Sequence, residues 1–109
     1  MEINFNDKNV RELCEKRAVA VKKLGPLCAR KLRSRLDDLD AAERVSDLVA
    51  GNPHPLKRDR LGEFALDLAG GYRLTFKSAN DPVPRYEDGG IDWTQVTIVC
   101  IEFIGDYHD

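Results

Sequence analysis

The chain has 109 residues, 42% of them hydrophobic, which is enough for one core and close to the usual size of one domain, so residues 1–109 are read as a single unit. No apolar run reaches about 18 residues, which excludes a membrane-spanning helix, and no basic segment leads into an apolar stretch at the start, so the cytoplasm is the expected location. The net charge of −2 argues against a surface coated for nucleic acid.

The charge is unevenly placed. Residues 1–77 hold 16 Lys/Arg and 12 Asp/Glu, a balance of +4, whereas residues 78–109 hold one basic and seven acidic residues, a balance of −6. A basic body with an acidic appendage can still bind RNA locally, because the relevant field acts within about 10 Å. Cys14, Cys28 and Cys100 are odd in number, widely spaced and set among apolar neighbours, which fits small core residues in a reducing compartment. No CxxC or Cys/His cluster is present, so no metal site is expected.

In chain order, Ile3 and Phe5 alternate with Glu2 and Asn4, the pattern of a short edge strand. Asn6 or Asp7 offers an N-cap, and Val10, Leu13, Cys14, Val21 and Leu24 follow at helical spacing. Gly25-Pro26 ends one helix and starts another, whose apolar stripe is Cys28, Leu32, Leu36 and Leu39. So short a link makes the two helices a hairpin. A third, shorter helical pattern, Ala42, Val45, Leu48 and Val49, stops at Gly51-Asn52-Pro53.

Residues 64–76 read as a β-hairpin. A two-residue Gly70-Gly71 turn would mix the faces. A three-residue loop, 69–71, pairs Leu68 with Tyr72, Leu66 with Leu74 and Phe64 with Phe76, so burial selects it. The other face then carries Asp67 opposite Arg73, with Thr75 and Lys77. Residues 78–93 form a long acidic loop, expected to be a mobile surface segment anchored by Trp93 or a docking element for a partner. Val96–Ile104 reads as a central strand. The predicted fold is α+β, order β-α-α-(α)-β-β-β, with a helical hairpin on one face of a small antiparallel sheet.

The candidate chemistry lies around that hairpin. His54, between Pro53 and Pro55, and His108 are the two histidines. Each alone reads as a solvated loop residue; together with nearby cations they become candidate proton donors and acceptors. Lys57, Arg58 and Arg60 lie between His54 and the hairpin, and Arg73 and Lys77 share its polar face. Such cations neutralise a phosphate and grip it with forked hydrogen bonds, although Arg73 could equally do no more than pair with Asp67. Tyr107 supplies a plane for stacking an unpaired base. No GxSxG, glycine-rich phosphate loop, HExxH or dinucleotide fingerprint occurs, and no cofactor is expected.

The stretch from His54 through Lys57, Arg60, Gly62 and Tyr72-Arg73 to Phe76, with the ending Gly105-Asp106-Tyr107-His108, resembles the HigB (plasmid maintenance killer protein) branch of the RelE/ParE toxins. The helical hairpin and strand order agree, so the likeness spans nearly the whole chain. It implies a toxin of a type II toxin–antitoxin system that cuts mRNA in the ribosomal decoding site without a metal. His54, Lys57, Arg73, Asp106, Tyr107 and His108 match positions that such toxins use or place in the active groove, and Arg60 matches a basic position. The implied partners are a cognate antitoxin, of helix-turn-helix type, and the ribosome with its mRNA; operator DNA is met only through the antitoxin. The acidic net charge and acidic loop depart from the many basic relatives. Two other readings share the architecture, a ParE-like gyrase inhibitor without chemistry and an inactive homologue that only binds an antitoxin, because fold alone does not set function.

Overall fold

The computed structural model describes residues 1–106. In chain order the elements are β1 (Glu2–Phe5), α1 (Lys8–Glu15), α2 (Arg17–Leu24), α3 (Pro26–Ala41), β2 (His54–Pro55), β3 (Glu63–Asp67), β4 (Tyr72–Ser78) and β5 (Ile98–Asp106), with short 3-10 turns at Val45–Asp47, Arg58–Arg60 and Trp93–Gln95. The strands form one sheet in the order β1-β5-β4-β3-β2. The fold is α+β, with the helices packed on one face of the sheet as the sequence predicts.

Three features depart from the sequence reading. The sheet is mixed rather than wholly antiparallel: β1 runs parallel to β5, with Ile3 opposite Val99. Parallel neighbours need a long crossover, and everything between β1 and β5 serves as one. The start of β1 is held by α3, because the Met1 ammonium donates to the carbonyls of Leu39 and Ala42 at 3.0 and 2.6 Å. A cation at the C-terminal end of a helix is favoured by the unpaired carbonyls there.

The first helix is interrupted. Asp7 caps α1 by accepting from the Val10 N–H at 2.8 Å, but Lys16 is extended and separates α1 from α2. An unbroken helix would carry Arg17, seven residues beyond buried Val10, onto the core stripe. The break leaves Arg17 exposed and buries Ala20 instead. The third helical pattern condenses to the 3-10 turn Val45–Asp47, in which Val45 is buried, while Val49 is 87% exposed.

The hairpin register is the expected one. Phe64 pairs with Phe76, Leu66 with Leu74 and Asp67 with Arg73, and the Leu68 N–H donates to the Tyr72 carbonyl at 2.8 Å across the 69–71 loop. Phe64, Leu66, Leu74 and Phe76 meet Leu32, Leu36 and Leu39 of α3 in the core. β5 contributes Val99, Ile101 and Ile104 to the same core. The step of three between Ile101 and Ile104 reflects a bulge: Thr75 opposes Phe103, but Phe76 opposes Ile101, so Glu102 is an extra residue. Both Glu102 and Phe103 therefore turn to the face away from the helices.

The acidic segment after β4 is a flap with structure of its own. Arg85 and Ile91 form a bridge, the Tyr86 N–H donates to the Gly90 carbonyl, and Asn80 accepts from the N–H groups of Thr97 and Ile98 at 3.1 Å each. Trp93 anchors the flap as expected, its ring 4.9 Å from Phe64 and 6.2 Å from Phe76.

Candidate active face of the sheet

The helix-free face of the sheet is ordered in rows by its register. The central row runs His54, Ala65, Thr75, Phe103 from β2 to β5. On one side lies the row Asp67, Arg73, Gly105, and on the other Glu63, Lys77, Cys100. Directly opposed residues share a face, so this register alone puts His54 and Arg73 on the same side.

His54 lies on a two-residue edge strand rather than in the loop that its flanking prolines suggest. An edge suits this segment, because prolines have no N–H to give to a further strand. The imidazole Nδ1 lies 2.7 Å from the Asn52 carbonyl. A carbonyl only accepts, so Nδ1 carries the hydrogen, and Nε2 is left to take up or pass on a proton. Asn52, in the left-handed region at φ 49°, donates its side-chain amide to Asp67 Oδ2 at 3.4 Å. Asp67 Oδ1 in turn lies 3.4 Å from Arg73 Nε. A continuous polar chain thus joins His54 to Arg73 through Asn52 and Asp67. With strands about 4.8 Å apart and about 3.4 Å between residues, the two Cα atoms are separated by about 12 Å.

Arg60 is half-buried rather than a loose cation of the loop. Its Nη1 donates to Glu63 Oε1 at 3.2 Å, and its guanidinium carbon sits 4.4 Å from the centre of the Phe103 ring. Thr75 donates to the same Glu63 oxygen at 2.6 Å. Lys77 Nζ lies 3.3 Å from Glu102 Oε1. Lys57, just before the 3-10 turn, and Arg58, on it, are exposed, Arg58 with φ 57°. Three of the predicted cations, Arg60, Arg73 and Lys77, are therefore opposed by carboxylates of the same face.

Asp106 lies opposite Tyr72, one step beyond the Arg73–Gly105 row, with its carboxylate 3.6 Å from where a Cβ on Gly71 would sit. Tyr107 and His108 lie outside the described residues, and so does the expected approach of the His108 imidazole to Arg73.

The sequence reading missed Asn52, Glu63 and Phe103. Glu63 had a signal, since it stands two residues before Ala65 on the polar face. Phe103 had only a faint one, the three-residue spacing of Ile101 and Ile104, because strict alternation would have placed it with Ile101 in the core. The cysteines divide: Cys14 and Cys28 are buried, whereas Cys100 is partly exposed in the Lys77 row. Burial pushes the Cys14 thiol up to about 12 and the Cys100 thiol up to about 11, the latter helped by Glu102. Among the described residues, no group of three or more His, Cys, Asp or Glu is placed to hold a metal ion, and no helix is long and apolar enough to cross a membrane.

Helices on one face of a five-stranded mixed sheet are an arrangement that this chain shares with toxins of known structure. A YoeB/ParE toxin from Agrobacterium tumefaciens superposes with a TM-score of 0.60 at 10% identity, covering 99% of this chain and 100% of that one. The YoeB–YefM complex from Staphylococcus aureus gives 0.59 at 14% identity, covering 100% and 98% of the two chains. The YoeB dimer from Staphylococcus aureus gives 0.57 at 15%, with the same coverage. The chain therefore has the YoeB/ParE toxin fold along its whole described length. No protein-family model and no curated protein matches the sequence.

Proposed function

We propose that the chain is the toxin of a type II toxin–antitoxin system, of HigB-like character, and that it cleaves mRNA on the ribosome without a metal ion. The observation that supports this reading is the register of the helix-free face, which puts His54 and Arg73 on the same side, with Asn52 and Asp67 linked between them.

In the proposed reaction a base, His108, Asp106 or His54, removes the proton of an RNA 2′-hydroxyl. The 2′-oxygen attacks the adjacent phosphorus in line and the bond to the 5′-oxygen breaks, leaving a 2′,3′-cyclic phosphate. A proton passes to the departing 5′-oxygen, most directly from Nε2 of a protonated His54. Arg73 and Lys57 stabilise charge developing on the phosphate oxygens, while Arg58, Arg60 and Lys77 hold the strand. Tyr107 holds the base or the scissile geometry. DNA lacks the attacking hydroxyl and is inert. Under this reading the partners are a cognate antitoxin of helix-turn-helix type, the ribosome and its mRNA, and the protein acts in the cytoplasm. Operator DNA is reached only through the antitoxin. That the Staphylococcus aureus relative was solved as a YoeB–YefM complex supports a protein partner.

The test is primer extension on translated mRNA after brief induction of wild type, His54→Ala and His108→Ala. Loss of a general acid or base costs about 10²–10⁴-fold in rate, so wild-type cut sites should vanish in at least one variant. Undiminished cutting by both variants would reject the histidine assignment. Stalled replication and DNA damage without mRNA cutting would instead indicate a gyrase-binding toxin. No response from either readout, with an antitoxin still bound, would indicate an inactive homologue.

A further inference from the structure

Beyond the charged face, an apolar cleft of about 550 Å³ opens between the flap and the turn that precedes β3. Leu61 from the turn and Tyr86, Ile91 and Trp93 from the flap segment line it. Leu61 is 80% exposed and Tyr86 54% exposed, and both belong to the small set of large apolar side chains that the described chain leaves open. A single exposed leucine is ordinary, but two such side chains lining one apolar cleft make it a candidate docking surface.

Both walls are held in place. The Leu61 N–H donates to the Arg58 carbonyl at 3.0 Å, closing the 3-10 turn that lifts it. Tyr86 is held by the Arg85–Ile91 bridge and by its own N–H donating to the Gly90 carbonyl at 2.8 Å, and the nearby Asp92 carboxylate pushes its phenol pKa up. Asp92 is held ionised chiefly by the Thr94 hydroxyl, which donates to its Oδ1. An aromatic ring with a polar end is the side-chain type enriched at protein interfaces, because little freedom is lost when it is covered.

The occupant follows from charge. Residues 81–92 carry four carboxylates and one guanidinium, that of Arg85, which is turned onto the Gly89 carbonyl at 2.8 Å. Asp88 of this set lines the cleft directly, as does Glu63, which is paired with Arg60 at 3.2 Å, so the flap side of the cleft carries a net negative charge. We infer that the cleft receives a segment of a partner protein that inserts one or two apolar side chains between Leu61 and Tyr86 and sets lysines or arginines against the flap. This surface goes beyond the ribonuclease reading and does not depend on it.

Trp93 lines the cleft and is the chain's one tryptophan, so its fluorescence reports occupancy directly. The probes are synthetic peptides of about a dozen residues, without aromatic residues, with Ile-Leu-Leu at the centre and either lysine or glutamate on both sides. The lysine-flanked peptide should shift Trp93 emission saturably below about 1 mM, and the glutamate-flanked peptide should not. Leu61→Asp should weaken binding at least about tenfold while leaving far-UV circular dichroism and mRNA cutting unchanged. The double substitution E87K/D88K should invert the charge preference. No saturable shift with the lysine peptide, equal response to both peptides, or indifference to Leu61→Asp would each overturn the inference. So would a matching shift produced by an RNA oligonucleotide, which would move the nucleic-acid surface into the cleft.

Discussion

Replacing Asp67 by Asn tests how the charged face is balanced. Asp67 Oδ1 lies 3.4 Å from Arg73 Nε, and the two side chains are 39% and 34% exposed. At that separation the raw attraction is about 5 kcal/mol at an effective dielectric constant near 20. Solvent screening and side-chain entropy bring a pair so exposed down to about 1 kcal/mol. Asparagine keeps an oxygen for the Asn52 amide but removes the charge that competes for the guanidinium. An RNA phosphate arriving at Arg73 should then gain about 1 kcal/mol, a roughly fivefold tighter complex, while folding stability falls by no more than about the same amount. The assay is fluorescence anisotropy with a labelled, 2′-O-methylated single strand over a range of KCl concentrations. One further phosphate contact should steepen the slope of log affinity against log salt by about 0.7. Unchanged or weaker binding with the same slope, in a variant whose circular dichroism is native, would refute the idea that Asp67 restrains Arg73.

Two further outcomes are expected. Gly51→Ala should cost more than about 1 kcal/mol in urea unfolding, because φ is +85° and the new Cβ would lie 2.9 Å from Arg35 Cδ and 3.2 Å from the Asp67 carbonyl. With Cys14 raised to about 12 and Cys100 to about 11, native protein at pH 8 should react with iodoacetamide about a thousandfold more slowly at Cys14 and about a hundredfold more slowly at Cys100 than protein in urea. Because both folded values exceed the ordinary 9.0, their contribution to stability is complete below pH 9 and is lost as pH rises through 11 to 12; alkaline unfolding in that window checks the sign.

The hairpin was legible in the sequence because one face of it is buried: a one-residue slip would have put Leu66 and Leu74 in water. That same register gave the Asp67–Arg73 pair. The interruption at Lys16 was not legible, since neither glycine nor proline marks it and only the need to keep Arg17 out of the core explains it. The β5 bulge left a faint trace in the spacing of Ile101 and Ile104, but apolar residues at Cys100, Ile101, Phe103 and Ile104 make alternation ambiguous. His54 was singled out for its chemistry and not for its strand, because two proline-flanked residues carry no period. The link from His54 to Asp67 depends on Asn52 adopting a left-handed conformation, which asparagine tolerates but sequence does not announce.

The pairing of cations with carboxylates also bears on where such a face could work. Arg60 with Glu63, Arg73 with Asp67 and Lys77 with Glu102 are each within 3.4 Å, so their fields largely cancel beyond about 8 Å at physiological salt. A face of this kind attracts distant RNA weakly, and the acidic flap adds repulsion. At contact range the balance changes, because a phosphate placed against Arg73 offers two oxygens to a forked donor and can displace Asp67. On the ribonuclease reading, the RNA must therefore be delivered to the face rather than captured by it from solution. An mRNA held in the decoding site meets that requirement, and a free strand does not. The net charge of −2, at first an argument against a nucleic-acid enzyme, is then what would keep this one idle away from the ribosome.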